Sequence, residues 1–457
     1  MMIKNNQLKY NQFRQSIKFI TFETINCFGD DAGQYVELHF NLNDQFHFYP
    51  SFHIPVKNEW SDLSDKPFID TMAFFIGMVE LISYWKIACP ERIIVKPFKL
   101  SARQIRFWEK LYFYGLAEFF YTNGIATSPE NFAQFISESE IDLPELSKIY
   151  PDNHKVIVPV GGGKDSVVTL ELLKQKYDVV PFVVNPIAAS LHTIEIAGFD
   201  RSRVFEIHRN LDPLMLEMNK QGYLNGHTPF SALLAFYSVF AAGLTQSKHI
   251  ALSNEASANE PTVKEGANHQ YSKSFEFEKD FRDFSEKYLK GTFNYFSFLR
   301  PLNEFRIAGL FSRFPQYFNA FRSCNVGSKT GIWCGNCPKC LFAYIILSPH
   351  IDRDIMINIF GYDLFSNESL KQYLEELSGI SEIKPFECVG TVDEVNFALR
   401  QIINNYSGEL PVLLEFYRTK QGQSAPFNQF QNIASEFNVH HFLDDTFLDI
   451  LKSALHD

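Results

Sequence analysis

The sequence predicts an α/β protein with a central, doubly wound parallel sheet, an N-terminal α/β domain and a mainly helical C-terminal region. Three observations lead there. From Lys155 onward, short apolar runs alternate with helical patterns, the mark of βαβ units. The first of those runs, Val156–Val160, feeds Gly161-Gly-Gly-Lys-Asp-Ser166, a strand, a glycine turn and a helix start. The chain has 457 residues, more than one ordinary core accommodates, so two or three domains are expected.

Residues 1–125 read as the N-terminal α/β domain. Lys18–Thr24 and Tyr35–Phe48 carry β-branched and aromatic residues in partial alternation, with turn chemistry at Gly29–Gly33 between them. Met72–Ile87 is apolar enough for a buried helix, Arg92–Val95 suits a short strand, and Gln104–Phe120 places its large side chains near 3.6-residue spacing. Residues 126–154 turn polar and acidic and read as a linker or a peripheral helical segment. Residues 155–350 form the central domain. Its elements are strands at Val156–Val160, Val179–Val184, Val204–Ile207 and Ile250–Leu252, and helices at Ser166–Gln175, Leu191–Ala197, Pro229–Thr245, Phe305–Phe321 and Leu341–Leu347. Residues 351–457 are mainly helical, with candidates at Ser369–Leu377, Val392–Asn404, Leu410–Tyr417 and Phe442–Leu455.

Composition narrows the function classes. A hydrophobic share of 46% and a charged share of 21% are those of a globular chain. The net charge of −11, without a Lys/Arg tract, argues against a large nucleic-acid footprint. The 47 phenylalanines predict thick cores or apolar clefts. The first residues show no apolar stretch with a cleavage site, and the apolar run Leu233–Leu244 is shorter than the ~20 residues of a membrane span. A cytoplasmic protein with no membrane partner is expected.

The glycine segment carries the most chemistry. Three glycines let backbone N–H groups close on phosphate oxygens, and the helix start adds unpaired N–H groups and a positive dipole end. Lys164 is followed by Asp165, which excludes the nucleoside-triphosphate pattern ending Gly-Lys-Ser/Thr, and Ser166 stands where a dinucleotide fingerprint needs glycine. A glycine turn whose Asp-Ser pair merely caps a helix is the plainer reading. The segment resembles the PP-loop of the ATP pyrophosphatases, usually Ser-Gly-Gly-x-Asp-Ser, with Gly161 in place of the usual serine. The resemblance implies a PP-loop fold of the HUP type and cleavage of ATP between its α and β phosphates. Gly161, Gly162, Gly163 and Ser166 would hold pyrophosphate, Lys164 would add a mobile positive charge, and Asp165 would hold Mg²⁺ or cap the helix.

Cys324, Cys334, Cys337 and Cys340 form the second cluster. Four soft ligands with two successive C-x₂-C spacings suit structural Zn²⁺. An iron–sulfur cluster, a redox pair or buried thiols fit the same spacing. A four-cysteine group also follows the PP-loop domain of the 7-cyano-7-deazaguanine synthases, which favours zinc by analogy. Other candidates rest on position. Glu255 and Glu260 follow a predicted strand and suit Mg²⁺ binding or proton transfer. Gly226-His-Thr-Pro229 opens a helix, with Thr228 as a cap or an anion contact. Arg300, Arg306, Arg313 and Arg322 offer forks for anions or ordinary surface ion pairs, and His227, Lys264 and His269 are individually weak proton carriers.

Three stretches together are similar to the UDP-N-acetylmuramoyl-L-alanyl-L-glutamate epimerases, the MurL family. They are Pro159-Val-Gly-Gly-Gly-Lys-Asp-Ser166, Trp333-Cys-Gly-Asn-Cys-Pro-Lys-Cys-Leu-Phe342 and Lys384-Pro-Phe-Glu-Cys-Val-Gly-Thr391. The resemblance spans essentially the whole chain. It implies an enzyme dependent on ATP and Mg²⁺ that inverts the terminal L-glutamate of a UDP-MurNAc-dipeptide through an adenylated carboxylate, with Lys164, Asp165 and Glu255 as the catalytic candidates. A PP-loop enzyme modifying tRNA or a deazapurine, and an ATP-binding protein without turnover, are the alternatives.

Overall fold

A computed structural model describes residues 4–56, 65–147, 149–259, 271–327, 330–382, 384–385, 387, 389–421 and 432–456. In chain order the elements begin α1 (Gln7–Ser16), β1 (Phe19–Asp30), β2 (Gly33–Leu42), β3 (Phe46–Phe48), β4 (Ser51–Pro55), α2 (Lys66–Trp85), β5 (Arg92–Val95), α3 (Ala102–Gly115), α4 (Ala117–Asn123) and β6 (Gln134–Ser137). There follow β7 (Asp152–Pro159), α5 (Lys164–Leu173), β8 (Asp178–Val184), α6 (Ala188–Ile196), β9 (Phe205–Asn210), α7 (Pro213–Lys220), α8 (Phe230–Thr245), β10 (Ser247–Leu252), α9 (Phe275–Tyr288) and β11 (Asn294–Ser297). Among the described residues seven α-helices close the chain: α10 (Glu304–Phe311), α11 (Pro338–Leu347), α12 (Arg353–Phe360), α13 (Lys371–Leu377), α14 (Val392–Asn405), α15 (Val412–Gln421) and α16 (Asp445–His456).

The chain divides into two compact units, neither continuous in sequence. The first comprises residues 1–155, 205–250 and 267–294; the second comprises 156–204, 251–266 and 295–457. Residues 205–250, which the sequence places beside the glycine segment, thus group with the N-terminal residues.

In the first unit the strands lie in the order β9-β4-β2-β1-β5-β6, with β3 on β2. The sheet is mixed. β1 runs antiparallel to β2 and parallel to β5, β5 runs parallel to β6, and β4 is antiparallel to both β2 and β9. A wholly parallel sheet was the expectation, and β9 corrects it. Its partner β4 is some 150 residues earlier in the chain, and the pairing Phe52↔Arg209 leaves no mark on the local pattern. β6 lies in the segment read as a linker, where it extends the sheet through Arg92↔Gln134. The aromatic wealth goes into this core. Phe75, Trp108, Phe236 and Phe284 meet edge-on or stacked, with centroids 4.9 Å apart for Phe75–Phe284 and 5.6 Å for Trp108–Phe236. α2 has 20 residues, and Asp65 caps it by accepting from Phe68 N–H at 3.2 Å. Among the described residues it alone is long and apolar enough to cross a membrane, and it is almost wholly buried within this unit.

In the second unit the ends of β11, β10 and β7 and the whole of β8 follow in that order. β7, α5, β8 and α6 reproduce the predicted alternation. α5 and α10 pack together, and α10, α11 and α14 pack on one another. The expected helix 305–321 stops at Phe311 because Pro315 cannot continue it; only a short 3-10 turn, Pro315–Tyr317, follows. The candidate helices beyond residue 351 are present with shifted ends, and α12 is added to them.

Candidate active site

β7 enters the second unit through three fully buried residues, Val156, Ile157 and Val158. The turn that follows is pinned in its middle. Gly162 has φ +83°, and a Cβ there would stand 2.8 Å from the Ala189 carbonyl carbon, so this position requires glycine. The Gly162 carbonyl accepts from Arg322 N–H at 2.7 Å. Gly161 is exposed, with nothing within 4 Å of its would-be Cβ. Gly163 is the N-cap of α5 in extended backbone, with no side chain capping the helix. The loop is thus anchored on one side and open on the other, and α5 begins with N–H groups that no side chain satisfies. The Ser166 hydroxyl points back and donates to the Gly163 carbonyl at 2.9 Å. Asp165 lies inside the helix and does not cap it.

Lys164 is not a mobile surface cation. Its side chain is buried, with its ammonium on Asp165 Oδ1 at 2.5 Å and on Glu304 Oε2. Glu304 stands in the first turn of α10, whose Asn303 cap accepts from Arg306 N–H at 3.0 Å. Carboxylate oxygens of Asp165, Glu255 and Glu304 lie within 4.8 Å of one another. Below them Glu394 is buried and fully engaged. It accepts from Ser257 at 2.9 Å, from Thr391 N–H at 2.5 Å and from Glu304 N–H at 2.5 Å. Thr391 and Glu394 form the capping box of α14, so one carboxylate ties the starts of α10 and α14 to the loop after β10. A second link joins that loop to α5, where Ser253 donates to Thr169 at 2.9 Å.

The electrostatics follow from the count of charges. Burial works against the Lys164 ammonium, but Asp165 and Glu304 outweigh it and hold the lysine protonated well above its usual range. One ammonium cannot neutralise four carboxylates. Burial pushes the Glu304 carboxyl far up, Lys164 opposes the shift, and Asp165, Glu255 and Glu394 add to it. Burial raises Glu394 too, against its hydrogen bonds from Thr391, Ser257 and Glu304. Such a cluster has a place for a divalent cation. Three hard oxygens converge, and Asp165, with its side chain about one-third exposed at 32%, opens the group to solvent.

The cysteine cluster closes as a second centre in the same unit. Sulfur–sulfur distances are 3.8 Å for Cys324–Cys337, 3.6 Å for Cys334–Cys340 and 3.4 Å for Cys337–Cys340. Zinc–sulfur bonds of about 2.3 Å in a tetrahedron would set sulfurs about 3.8 Å apart. The four thiols therefore fit a tetrahedral ion with little adjustment. Cys337 caps α11, accepting from Cys340 N–H at 3.4 Å, and contacts with Cys340 pull its thiol down to about 5. Lys339 is turned to Asn325 at 3.1 Å and Glu387 at 3.6 Å.

Comparison with known proteins decides the kinship. A family profile for the MurL N-terminal domain matches residues 13–298, and one for the MurL C-terminal domain matches 319–428. The chain belongs to the MurL family. A relative from Micromonospora sp. is 34% identical over 332 residues, 71% of this chain and 73% of its own length. One from Salinispora tropica is 34% identical over 339 residues, 72% of each chain. One from Xanthomonas oryzae pv. oryzae is 32% identical over 362 residues, 77% of this chain and 79% of its own. All three are named UDP-N-acetyl-alpha-D-muramoyl-L-alanyl-L-glutamate epimerase.

The MurL segments do not coincide with the compact units. Lys164, Asp165 and Glu255 come from the N-terminal match, the cysteines and Glu394 from the C-terminal one, and Glu304 lies between the two. The structure brings together Lys164, Asp165 and Glu255 but disperses other sequence candidates. Glu260, Lys264 and His269 lie outside the described residues, as do Phe386 and Cys388 of the third MurL-like stretch. His227 and Thr228 belong to the first unit, where His227 meets Glu118 at 3.2 Å and the Thr228 hydroxyl accepts from Lys86 at 2.6 Å instead of capping α8. The arginines serve the main chain. Arg300, Arg306, Arg313 and Arg322 donate to the carbonyls of Glu255, Glu436, Ala454 and Gly331 at 2.7, 2.8, 2.6 and 3.0 Å. Sequence reasoning missed Glu304 and Glu394. The signal for Glu394 was Thr391-x-x-Glu394, a capping-box pattern at the end of the third MurL-like stretch.

Proposed function

We propose that this chain inverts the terminal L-glutamate of UDP-MurNAc-L-Ala-L-Glu to D-glutamate at the expense of ATP, releasing AMP and pyrophosphate. The observation that carries this reading is the meeting, in a MurL-family chain, of an open glycine loop with a cluster of one lysine and buried carboxylates. In the reaction we envisage, the glutamate carboxylate attacks the α-phosphorus of ATP. The bond to the bridging oxygen breaks, and pyrophosphate leaves. The acyl adenylate has lost the negative charge that kept the neighbouring Cα–H from being acidic. A base removes that proton, a proton returns to the opposite face, and water then splits the acyl–phosphate bond to give D-glutamate and AMP.

The residues have parts that suit this sequence. The backbone of Gly161, Gly162 and Gly163 and the start of α5 would hold phosphate oxygens. Asp165, Glu255 and Glu304 would hold Mg²⁺, which when bound supplies positive charge to the phosphates. With those carboxylates on a cation, the Lys164 ammonium would be available to the anion beside the loop. Where no cation occupies the cluster, burial favours a proton on Glu304. The four cysteines would hold Zn²⁺ as a structural brace.

The test is incubation with ATP, Mg²⁺ and UDP-MurNAc-L-Ala-L-Glu in D₂O. Deuterium at the glutamate α carbon and D-glutamate on hydrolysis are expected, with one pyrophosphate released per inversion. Unlabelled, wholly L product refutes the reading. Pyrophosphate release that depends on tRNA or a carboxylated deazapurine moves the chain to another class, and no release with any acceptor leaves an ATP-binding protein.

A further inference from the structure

The first unit holds a cavity of about 240 Å³ between the end of α2, the end of β9, α7 and the start of α8. Its walls include Glu80, Ser83, Lys86, Arg209, Asn225 and Thr228 among apolar side chains. The two cations differ. Arg209 is spent on Glu80, with Nε on Oε2 and Nη2 on Oε1, each at 2.7 Å. Lys86 is buried at 6% exposure, yet among the described residues its ammonium bonds to neutral oxygens alone, the Gly226 carbonyl at 2.5 Å and the Thr228 hydroxyl at 2.6 Å. An ammonium has three N–H donors, so one remains beyond those two bonds. A buried charge is normally paired, and this one lines a cavity instead.

We propose that this cavity is a binding site for a small oxyanion head, phosphoryl or carboxyl, with Lys86 as the cation that completes its charge on binding. The start of α8 adds a favourable potential beside Thr228. The volume admits an oxyanion and a few more atoms but not a nucleotide. The surrounding charges agree with this. Burial lowers Lys86 to about 8, and Arg209 adds to that effect, while Glu80, Cys89 and Glu118 oppose it. His227, which faces the same segment, is held neutral by burial, by Lys86 and by Lys273. An incoming oxyanion relieves the lysine's penalty, so binding and protonation of Lys86 reinforce each other.

Titration calorimetry of the full chain with sulfate, and separately with acetate, tests the site and separates phosphoryl-like from carboxyl ligands. One saturable site that depends on Lys86 is expected at pH 7, weakened at least tenfold in Lys86→Met and retained in Lys164→Met, which removes the cation beside the glycine loop. Affinity for sulfate, which does not titrate in this range, is expected to fall by about tenfold per pH unit above pH 8. The proposal is overturned if neither ion binds, if Lys86→Met binds as wild type does, or if Lys164→Met abolishes binding and so places the ion at the glycine loop. Should Lys86→Met fail to fold, the wild-type pH profile decides, and a flat affinity from pH 7 to 9.5 rejects the site.

Discussion

Lys164 and Lys86 are both buried, and their surroundings are opposite. Lys164 lies between Asp165 and Glu304 and is held protonated by them. Lys86 has two neutral oxygens and is pushed toward neutrality. Burial alone therefore does not say what a lysine does. In the second unit the charge is already compensated, and a new cation on the carboxylates is what would set Lys164 free. In the first unit the compensation is missing and has to come from a ligand. The cysteine cluster is the mirror case, four soft donors gathered where the missing charge is positive.

The contrast predicts its largest effect at the cysteines. If the four sulfurs hold zinc, metal analysis of purified protein finds about one ion per chain, and Cys340→Ser loses it while Cys89→Ser does not. Structural zinc is worth about 10–16 kcal/mol in isolated zinc-finger peptides, so a strong chelator is expected to unfold the second unit. Chelation without any change in circular dichroism or thermal midpoint would reduce the cluster to buried thiols.

The two lysines come next. Lys164→Met strands Asp165 and Glu304 without their cation, which costs about 3–5 kcal/mol when a buried pair is broken on one side. Lys86→Met removes a charge that the fold does not compensate, so its cost stays near ~1 kcal/mol, the two lost hydrogen bonds being offset by the desolvation avoided. Urea unfolding of the two variants checks the difference. Equal losses would mean that Lys86 has a counter-charge after all. Gly162→Ala follows at about 2–3 kcal/mol, from positive φ and contact with Ala189 backbone, and under the proposed reaction it also loses pyrophosphate release. Gly161→Ala, with open space at its Cβ, is expected to fold as wild type, and so separates loop geometry from loop stability.

Much of the site's frame was legible because it is local. Strand, glycine turn and helix occupy residues 156–173 in one run, and Gly162 is a position where the turn tolerates only glycine. The cysteines were legible for the same reason, three of them within seven residues. Glu304 was not, because nothing near it in sequence says that α10 packs on α5 and delivers a carboxylate to Lys164. Glu394 was half legible: the capping box is local, but its bond to Glu304 N–H spans 90 residues. The same limit explains the sheet. Alternation reveals strands and not partners, so β9 read as one more parallel strand until its pairing with β4 was seen.

The smallest effect distinguishes the lysines by pH. Lys86 has a folded-state pKa lowered from 10.5 to about 8. Between those values the unfolded chain binds a proton that the folded chain has released, so stability rises with pH across that window. The slope from this one group is at most about 1.4 kcal/mol per pH unit. Lys164 has the opposite sign. Its pKa is raised, so its contribution is complete below the unfolded value near 10.5 and is lost only as pH climbs beyond it. Comparing wild type with Lys86→Met from pH 7.5 to 10 isolates the first term, since other groups cancel in the difference. Wild type gains on the variant over that range if Lys86 is an uncompensated cation. Saturating sulfate then abolishes the gain, because the bound anion restores the missing partner and returns the lysine's pKa toward its usual value. A constant difference between the two proteins across the whole range would show that Lys86 already shares its charge, and the contrast with Lys164 would disappear.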